Sequence, residues 1–420
     1  MTLASSTARG RAALFPLAIF VATVVFALLN AARYTRHVTP AFYENSTDLT
    51  TYLRAREGVR RGGVPYRDFR FEYPPTAAYY LALPNLKPEP SRPDYLRSLI
   101  FLNAAVCGSA LGWILTRIRR WGWRPFAMAA SLGGAAFFTD EILFARFDGP
   151  IAFGVAAVLV TLLTNESLSR REFGTGGVLL GLLAGLKVFP IVLVGPLLAR
   201  RFRRSSALGL LGGLLPTVAL AMIAGPAALE FLSYHSQRHL EFGSLYATIA
   251  RLYEPCRMVV EFGAAECRVP DERVYLVAST LLTLVATVVP FVLSLRTRSA
   301  LGSLWWGAVA LYGFILFNKV GSPQYVLWPL AAALPLVADR SRRSVPLVLA
   351  VVLALAVARL LMTRYDTMNG TDVASRWALF KNAALTLGYG AALCGAISIG
   401  RDPGVAPGSD QRAPETSPTT

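Results

Sequence analysis

Lysine is nearly missing from this sequence. Of its 42 basic residues only four, Lys87, Lys187, Lys319 and Lys381, are lysines, and the rest are arginines, a bias that points to a GC-rich bacterial genome. Charge of either sign is scarce as well. Charged residues are 16% of the 420, where a soluble chain carries about a quarter, and this excludes an ordinary water-soluble domain. With three histidines and four cysteines, the chain has no Cys-x-x-Cys pair, no mixed Cys/His spacing and no His-Glu-x-x-His motif. The usual sequence signs of a zinc site are therefore missing. So is the Gly-x-x-x-x-Gly-Lys-Ser/Thr loop that cradles nucleotide phosphates. No small-residue cleavage site follows the first apolar segment, which reads as a retained helix and not as a signal peptide.

What the sequence has in quantity is apolar length. Hydrophobic residues make up 54% of it. Runs such as Ala13–Leu29, Val274–Leu295, Ala300–Leu316 and Ala383–Ile399 reach about 17–22 residues, enough for a helix to cross a ~30 Å hydrocarbon core. The expected fold class is an all-α polytopic membrane protein. The net charge of +17 invites a nucleic-acid partner, but the arginines gather in short loops between apolar runs. These are "RIRRWGWR" (117–124), "SRREF" (169–173), "RRFRRS" (200–205), "RTR" (296–298) and "DRSRR" (339–343). The positive-inside rule accounts for them, and no nucleic acid is called for. Arg9 and Arg11 put the N-terminus inside, and about twelve crossings return the C-terminus to the same side. The expected organisation is a cytoplasmic N-terminus over 1–11, a membrane-embedded domain over 12–400, and a Pro/Ser/Thr/Gly-rich, disordered cytoplasmic tail over 401–420.

Polar matter concentrates on the outer side, in loops at about 34–97 and 225–272 and in shorter segments between helices. Cytoplasmic nucleotide-sugar chemistry does not fit that placement. In the first loop, Ser46 or Thr47 can cap a helix starting near Asp48. Leu49, Tyr52, Leu53 and Val59 recur at helical spacing, with Arg54, Arg56, Arg60 and Arg61 between them and Gly62-Gly63 at the end. That pattern describes an amphipathic helix on the membrane surface. Asp48, at its start, suits the helix dipole as a simple cap, or serves as a functional acid. "PYRDFRFEYPP" (65–75) follows. It holds Arg67, Asp68, Arg70 and Glu72 at headgroup level, either lining a cleft or pairing with one another, with Tyr66, Phe69, Phe71 and Tyr73 as interface anchors.

Lys187 lies near the centre of an apolar stretch that Pro190 breaks. A charge there needs a partner, a cavity or a route to the interface. Lys319, in "FNKVGSPQY" with Asn318 and Gln324, repeats the idea. Two isolated lysines on one face suggest an anion site, a phosphate by preference. "YHSQRHLEFGS" (234–244) sets His235, Arg238 and His239 on one helical face and Glu241 on another. "RFDGP" puts Arg146 and Asp148 at the outer mouth of a helix pair, where they can form an ion pair. Cys107 and Cys394 sit within apolar runs as core residues. Cys256 and Cys267 share an outer loop, whose oxidising surroundings permit a disulfide that spacing alone does not establish.

The order of these pieces resembles a known family. Asp48 in D-L-x-x-Y, then "PY…F.YPP", "RFDGP", "GLLAGLKVFP", "YHSQRHLEFGS" and "NKVGSPQYVLWPL" are similar to the actinobacterial polyprenyl-phosphate-mannose-dependent mannosyltransferases. These are integral-membrane enzymes of the GT-C class, glycosyltransferase family 87. The resemblance covers roughly residues 10–400. It implies a GT-C-like helical bundle that moves a mannosyl residue from a polyprenyl-phosphate donor to a glycolipid or glycan acceptor at the outer face of the cell membrane, with inversion. In this class an acidic residue just after the first transmembrane helix is the general base, a position that matches Asp48, with Asp68, Glu72 and Asp148 as alternatives. Cations would stabilise the leaving phosphate, here Lys187, Lys319, Arg238 and His235 in that order. Asp68, Arg70, Glu72, Tyr73, Arg146, Asp148, Glu241, Asn318 and Gln324 would line the substrate cleft. Several relatives carry an Asp-x-Asp pair and use a divalent metal. This chain has no such pair, and neither a metal nor another cofactor is expected. It also lacks the large soluble C-terminal domain of some relatives, so acceptor recognition is expected from the membrane domain, where the arginines at 54–61 could hold an anionic lipid-linked acceptor such as a phosphatidylinositol glycan, or ordinary membrane headgroups. Rival readings are a transferase for another lipid-linked sugar such as arabinofuranose, a lipid or sugar flippase, and a non-catalytic subunit of an envelope-assembly complex. A flippase would be expected to show internal repeats, and none is evident.

Overall fold

The computed structural model describes residues 3–38, 47–84, 87, 89–164, 168–199, 202–261, 264–339, 343–365 and 372–400. Ser46, parts of the loops at 200–205 and 339–343, and the tail over 401–420 lie outside the described residues.

The apolar runs become helices. The chain opens with α1 (Leu3–His37), followed by α2 (Thr47–Arg60) and α3 (Pro75–Ala82). Next come α4 (Arg92–Ile118), α5 (Trp123–Phe137), the short α6 (Asp140–Phe144), α7 (Asp148–Thr164) and α8 (Arg170–Leu186). A single turn, α9 (Gly195–Leu198), leads to α10 (Arg203–Ala224). Two loop helices, α11 (Glu230–Gln237) and α12 (Leu245–Tyr253), precede an antiparallel hairpin of β1 (Arg257–Glu261) and β2 (Ala264–Arg268). The chain closes with α13 (Glu272–Arg296), α14 (Ala300–Phe317), α15 (Leu330–Leu336), α16 (Ser344–Tyr365) and α17 (Asp372–Gly400).

Local chemistry sets the helix ends. Ser91 accepts from the Asp94 amide ahead of α4, and Ser299 caps α14 in the same way. Ser169 and Glu172 form a reciprocal capping box at the start of α8. Gly62, at φ +79°, takes the left-handed turn beyond α2.

Among the described residues, six helices are long and apolar enough to cross a membrane: Leu14–His37, Arg92–Trp121, Arg203–Ala228, Glu272–Arg296, Ala300–Phe317 and Ser375–Ile399. Shorter apolar helices at Asp148–Thr164 and Ser344–Leu360 run between the same two ends. Large side chains such as Leu17, Leu29, Leu211, Leu215, Leu281 and Leu284 stay exposed on α1, α10 and α13. Without water around them, these rows face lipid. By contrast, α7 and α14 are almost wholly buried and form the centre of the bundle.

Helix packing uses small residues. On α8 and α10, a Cβ at Gly177 would collide with the Ser206 carbonyl, one at Gly209 with the Gly174 carbonyl, and one at Gly213 with the Val178 carbonyl. Only glycine lets these backbones approach so closely, as in small-xxx-small packing of membrane helices.

Two segments cross the bundle without being continuous helices. After α8 the backbone turns extended at Lys187 and re-forms as a 3-10 turn over Phe189–Leu193 before α9. After α14, a 3-10 turn over Pro323–Leu327 precedes α15. Both carry a proline at the start of the 3-10 turn and both are largely buried. The apolar stretch that Pro190 was expected to break is thus one regular helix, α8, and one broken limb.

Helix polarity separates two ends. Arg117, Arg119, Arg120, Arg170, Arg171, Arg203, Arg204, Arg296 and Arg298 fall at one end. At the other lie the starts of α4, α7 and α13, the ends of α8 and α14, and the segment carrying α2 and α3. Every candidate site residue belongs to this second end.

Candidate active site

Asp48 lies in the first turn of α2. One turn later, buried Tyr52 packs edge-on against Phe147 at 5.7 Å and tilts against Tyr73 at 6.4 Å. Leu49 and Ala55 are buried with it, and Arg56, expected on a polar face, is buried too and donates to the Lys87 carbonyl. The inner face of α2 therefore seats on α3 and α4, which fixes where Asp48 points.

Arg146 lies two residues before the start of α7. Its guanidinium donates to Asp48 Oδ2 at 2.8 Å and to the side-chain oxygen Oε1 of Gln324. Its own carbonyl accepts from Asn103 Nδ2 at 3.0 Å. Three distant stretches meet at this one residue. The expected Arg146–Asp148 pair does not form, because the two side chains take different partners. Asp148 is fully buried and accepts from Lys187 Nζ at 2.5 Å and from Trp328 Nε1 at 2.7 Å. Its second oxygen, Oδ2, is buried without a hydrogen-bond partner among the described residues. Lys187 Nζ also lies over the rings of Phe147, Tyr73 and Trp328 at 5.0, 5.2 and 5.6 Å. The isolated lysine is thus an ion pair within an aromatic box, where cation–π attraction adds to the Coulomb term. Phe189, from the broken limb, stacks on Trp328 at 4.5 Å.

A second group of polar residues faces the first. Glu72 accepts from the Tyr234 hydroxyl, and burial pushes its carboxyl above the usual carboxylate range. Asp48 and Arg238 are among the charges that act on it. Burial and the neighbouring Arg238 charge bring His235 down to about 4, and Lys187 also acts on it. Arg238 pairs with Glu241 at 3.4 Å. The expected helical face of His235, Arg238 and His239 is not present. α11 ends at Gln237, and the segment beyond it is drawn out by the Glu241 amide bonding to the Lys319 carbonyl and the Phe242 amide to the Ala265 carbonyl. His239 instead meets Glu272 at 2.9 Å. Lys319 donates to the Ser236 and Arg238 carbonyls at 2.9 and 2.6 Å, tying this loop to the end of α14. Asn318 accepts from the Val320 amide and shapes the same turn.

Asp68 is outside this assembly. It is exposed, pairs with Arg67 at 2.8 Å and accepts from the Val64 amide at 2.7 Å. Arg70 is exposed as well. A disulfide joins Cys256 to Cys267, pinning the approach to β1 against β2. Among the described residues, no three His, Cys, Asp or Glu side chains are grouped to hold a metal ion.

Sequence reasoning missed Trp328, Asn103, Tyr52 and Tyr234. Asn103, a lone amide in the apolar run "FLNAAV", carried a readable signal. The roles of the aromatic residues come from tertiary packing, Trp328 over Lys187, Tyr52 on Phe147 and Tyr73, and Tyr234 on Glu72.

The profile of Glycosyltransferase family 87 matches residues 71–317, more than half of the chain. The chain belongs to glycosyltransferase family 87. The matched stretch takes in Glu72, Arg146, Asp148, Lys187, Arg238 and Glu241, while Asp48, Gln324 and Trp328 lie outside it. No curated protein matches this family 87 member significantly. It is similar to the crystal structure of ArnT from Cupriavidus metallidurans bound to undecaprenyl phosphate, with a TM-score of 0.45, 16% identity, and coverage of 93% of this chain and 78% of that one. The apo structure of the same ArnT gives 0.43, 16%, 94% and 78%.

Proposed function

We propose that this membrane glycosyltransferase moves a mannosyl residue from a polyprenyl-phosphate donor to a hydroxyl of a lipid-linked or glycan acceptor. The reaction takes place on the face away from the arginine-rich loops, which the positive-inside rule makes extracytoplasmic. Asp48 is the general base. The observation that carries the reading is Asp48 held by Arg146 at 2.8 Å beside the buried Lys187–Asp148 pair. A carboxylate and an ammonium group then flank one cleft, as an in-line displacement on a sugar phosphate requires.

In this reaction the acceptor O–H gives its proton to Asp48, through Oδ1, since Oδ2 faces Arg146. The acceptor oxygen attacks the anomeric carbon, the bond from that carbon to the phosphate oxygen breaks, and the configuration inverts. Lys187 spends one of its three N–H groups on Asp148 and keeps others for the developing phosphate charge. Arg238 and His235 stand on the same side of the cleft. Lys319, with two donors spent on loop carbonyls, positions that loop.

The test supplies radiolabelled polyprenyl-phosphate-mannose and a host lipid extract to membranes holding equal amounts of wild type, Asp48→Asn or Glu72→Gln. Loss of a general base lowers transfer by about 10²–10⁴-fold, and this is expected of Asp48→Asn. Full transfer by Asp48→Asn with loss in Glu72→Gln would move the base to Glu72. No transfer by folded wild type, with transfer from an arabinofuranosyl donor, would change the sugar and keep the enzyme.

A further inference from the structure

The turn over 144–148 carries both halves of the chemistry above. Arg146 holds Asp48, Phe147 walls the box around Lys187, and Asp148 pairs with Lys187. Two carbonyls of this turn fall where a helix cannot bond them. Phe144 closes α6, where helix carbonyls run out of amides. Four residues beyond Arg146 stands Pro150, which has no N–H to offer. Asn103, on α4, supplies both bonds. Its Nδ2 donates to the Phe144 carbonyl at 2.7 Å and to the Arg146 carbonyl at 3.0 Å, while its Oδ1 accepts from the Tyr80 hydroxyl at 2.7 Å. Asn103 is completely buried.

We propose that Asn103, oriented by Tyr80, is a positioning residue that aims the base Asp48 by fixing Arg146. The role rests on the transferase reading above. An amide carries two N–H donors on one atom and an acceptor on the other. The Tyr80 hydroxyl occupies the acceptor end, and a reversed amide would set Oδ1 against two carbonyl oxygens. Both N–H groups therefore face the turn. Anchored at two carbonyls two residues apart, the peptide units between them are held against rotation, and with them the direction in which the Arg146 side chain leaves the backbone. At its far end the guanidinium meets Asp48 Oδ2 at 2.8 Å and Gln324 Oε1.

The surroundings suit a short, rigid clamp. Asn103 stands within the apolar span Arg92–Trp121, where a polar side chain is costly unless it is bonded and used. Tyr80 tilts against Phe147 at 6.1 Å, so the ring that orients the amide also packs on the turn. One helical turn beyond Asn103, Cys107 Sγ lies 3.3 Å from where a Cβ on Gly149 would be. α4 and the start of α7 are thus already in contact, and the extra methylene of a glutamine at 103 would overpack the gap. Nothing in this chain of bonds touches substrate. It runs from α3 through α4 to the turn, and from there to Asp48.

The experiment measures transfer from radiolabelled polyprenyl-phosphate-mannose per folded enzyme, below the thermal midpoints. Asn103→Asp and Asn103→Leu are each made in the wild-type and in the Arg146→Gln background. Aspartate keeps the shape and removes both donors. With Arg146 present, kcat is expected to fall about 10²-fold, the scale of a misplacement of about 1 Å, while the KM values for donor and acceptor hold. In the Arg146→Gln background the same substitutions are expected to cost less than about twofold, because the contact they act through is already gone. Equal losses in the two backgrounds, or a wild-type kcat in either folded Asn103 variant, overturn the proposal. Tyr80→Phe removes a single hydroxyl and serves if neither Asn103 variant folds. Its kcat is expected to fall about fivefold, the worth of one neutral hydrogen bond, and again only where Arg146 is present. Failure of the transferase reading shows itself separately, as wild type that transfers no sugar. Thermal midpoints then decide the clamp by itself: Tyr80→Phe is expected to cost nothing further once Asn103 is replaced by leucine, and full additivity overturns it.

Discussion

Asp148 and Lys187, 39 residues apart in the chain, meet at 2.5 Å with both side chains almost completely withdrawn from solvent. Breaking a buried pair from one side leaves an uncompensated charge, at about 3–5 kcal/mol, whereas replacing both partners with apolar groups is often close to neutral. Lys187→Met and Asp148→Leu are each expected to unfold at markedly lower temperature in detergent, and the double variant to regain most of the loss. A double-mutant cycle on thermal midpoints checks this. Additive losses would mean that the two groups do not compensate each other. All three variants are expected to lose transfer, because the Lys187–Asp148 pair inside the aromatic box is gone.

Acid should find His235 first. Its pKa falls from an ordinary value near 6.5 to about 4 in the folded protein. Between those values the unfolded chain binds the proton and the folded chain does not, so stability drops as pH falls from ~6.5 to ~4 and levels off below. His235→Gln is expected to flatten that part of the stability profile. Glu72 acts in the opposite sense. Its raised pKa gives a contribution that is largest in acid and lost as pH rises through the folded value, so Glu72→Gln is expected to raise the midpoint at neutral pH. Midpoints measured from pH 4 to pH 8 on both variants separate the two.

The α8–α10 contact predicts a sharp positional contrast. Gly177→Leu and Gly213→Leu would drive side chains into the Ser206 and Val178 carbonyls, whereas a Cβ at Gly212 meets nothing within 4 Å. Overpacking costs about 1–3 kcal/mol or more where backbone cannot move. The first two variants are expected to lose most of their folded yield in membranes and Gly212→Leu to keep it. Equal yields would show that the helices can part without cost.

Lys381, buried on α17, donates to the Gly243 and Gly321 carbonyls at 2.7 and 2.6 Å. It clamps the Arg238–Glu241 loop to the Gln324 loop. Lys381→Met takes the lysine donor from both carbonyls, and among the described residues only the Gly243 carbonyl keeps another, Asn382 Nδ2 at 3.3 Å. A buried acceptor left unsatisfied costs about 1–3 kcal/mol, so the variant is expected to lower both the midpoint and the transfer rate. Lys381→Arg is not expected to rescue it, because the two glycine backbones already touch. Transfer assays on both variants at 20 °C, below the expected midpoints, test the positioning role apart from stability.

Much of the membrane architecture was legible in the chain, because lipid imposes a simple rule that apolar length obeys, and the arginine loops mark which helix ends belong together. Single polar residues in apolar surroundings were legible for the same reason: Lys187, Arg146, Asp148 and Gln324 all stood out, and all meet in one site. Their partners were not. Arg146 beside Asp148 suggested a local pair, yet tertiary packing gives Arg146 to Asp48 and Asp148 to Lys187. Helical periodicity put Arg238 and His239 on a face with His235, but hydrogen bonds to Lys319 and Ala265 pull the backbone straight after Gln237. Local pattern sets local conformation only where no long-range bond competes.

The broken limb after Lys187 bears on how the protein is made. A segment containing an ammonium group and a proline-interrupted, 3-10 backbone is a poor substrate for entry into lipid on its own; Asp148 of the earlier α7 compensates its charge, and only the later stretch supplies Trp328, which bonds Asp148 and closes the box of rings over Lys187. Trp328 is synthesised long after Lys187. The limb over 187–199 therefore completes its burial late in biogenesis, when α14 and the segment behind it arrive, and until then the half-built bundle must shelter an open polar seam. The same contacts that build the cleft also act as a checkpoint on assembly, since a chain truncated before Trp328 keeps that seam exposed to membrane quality control.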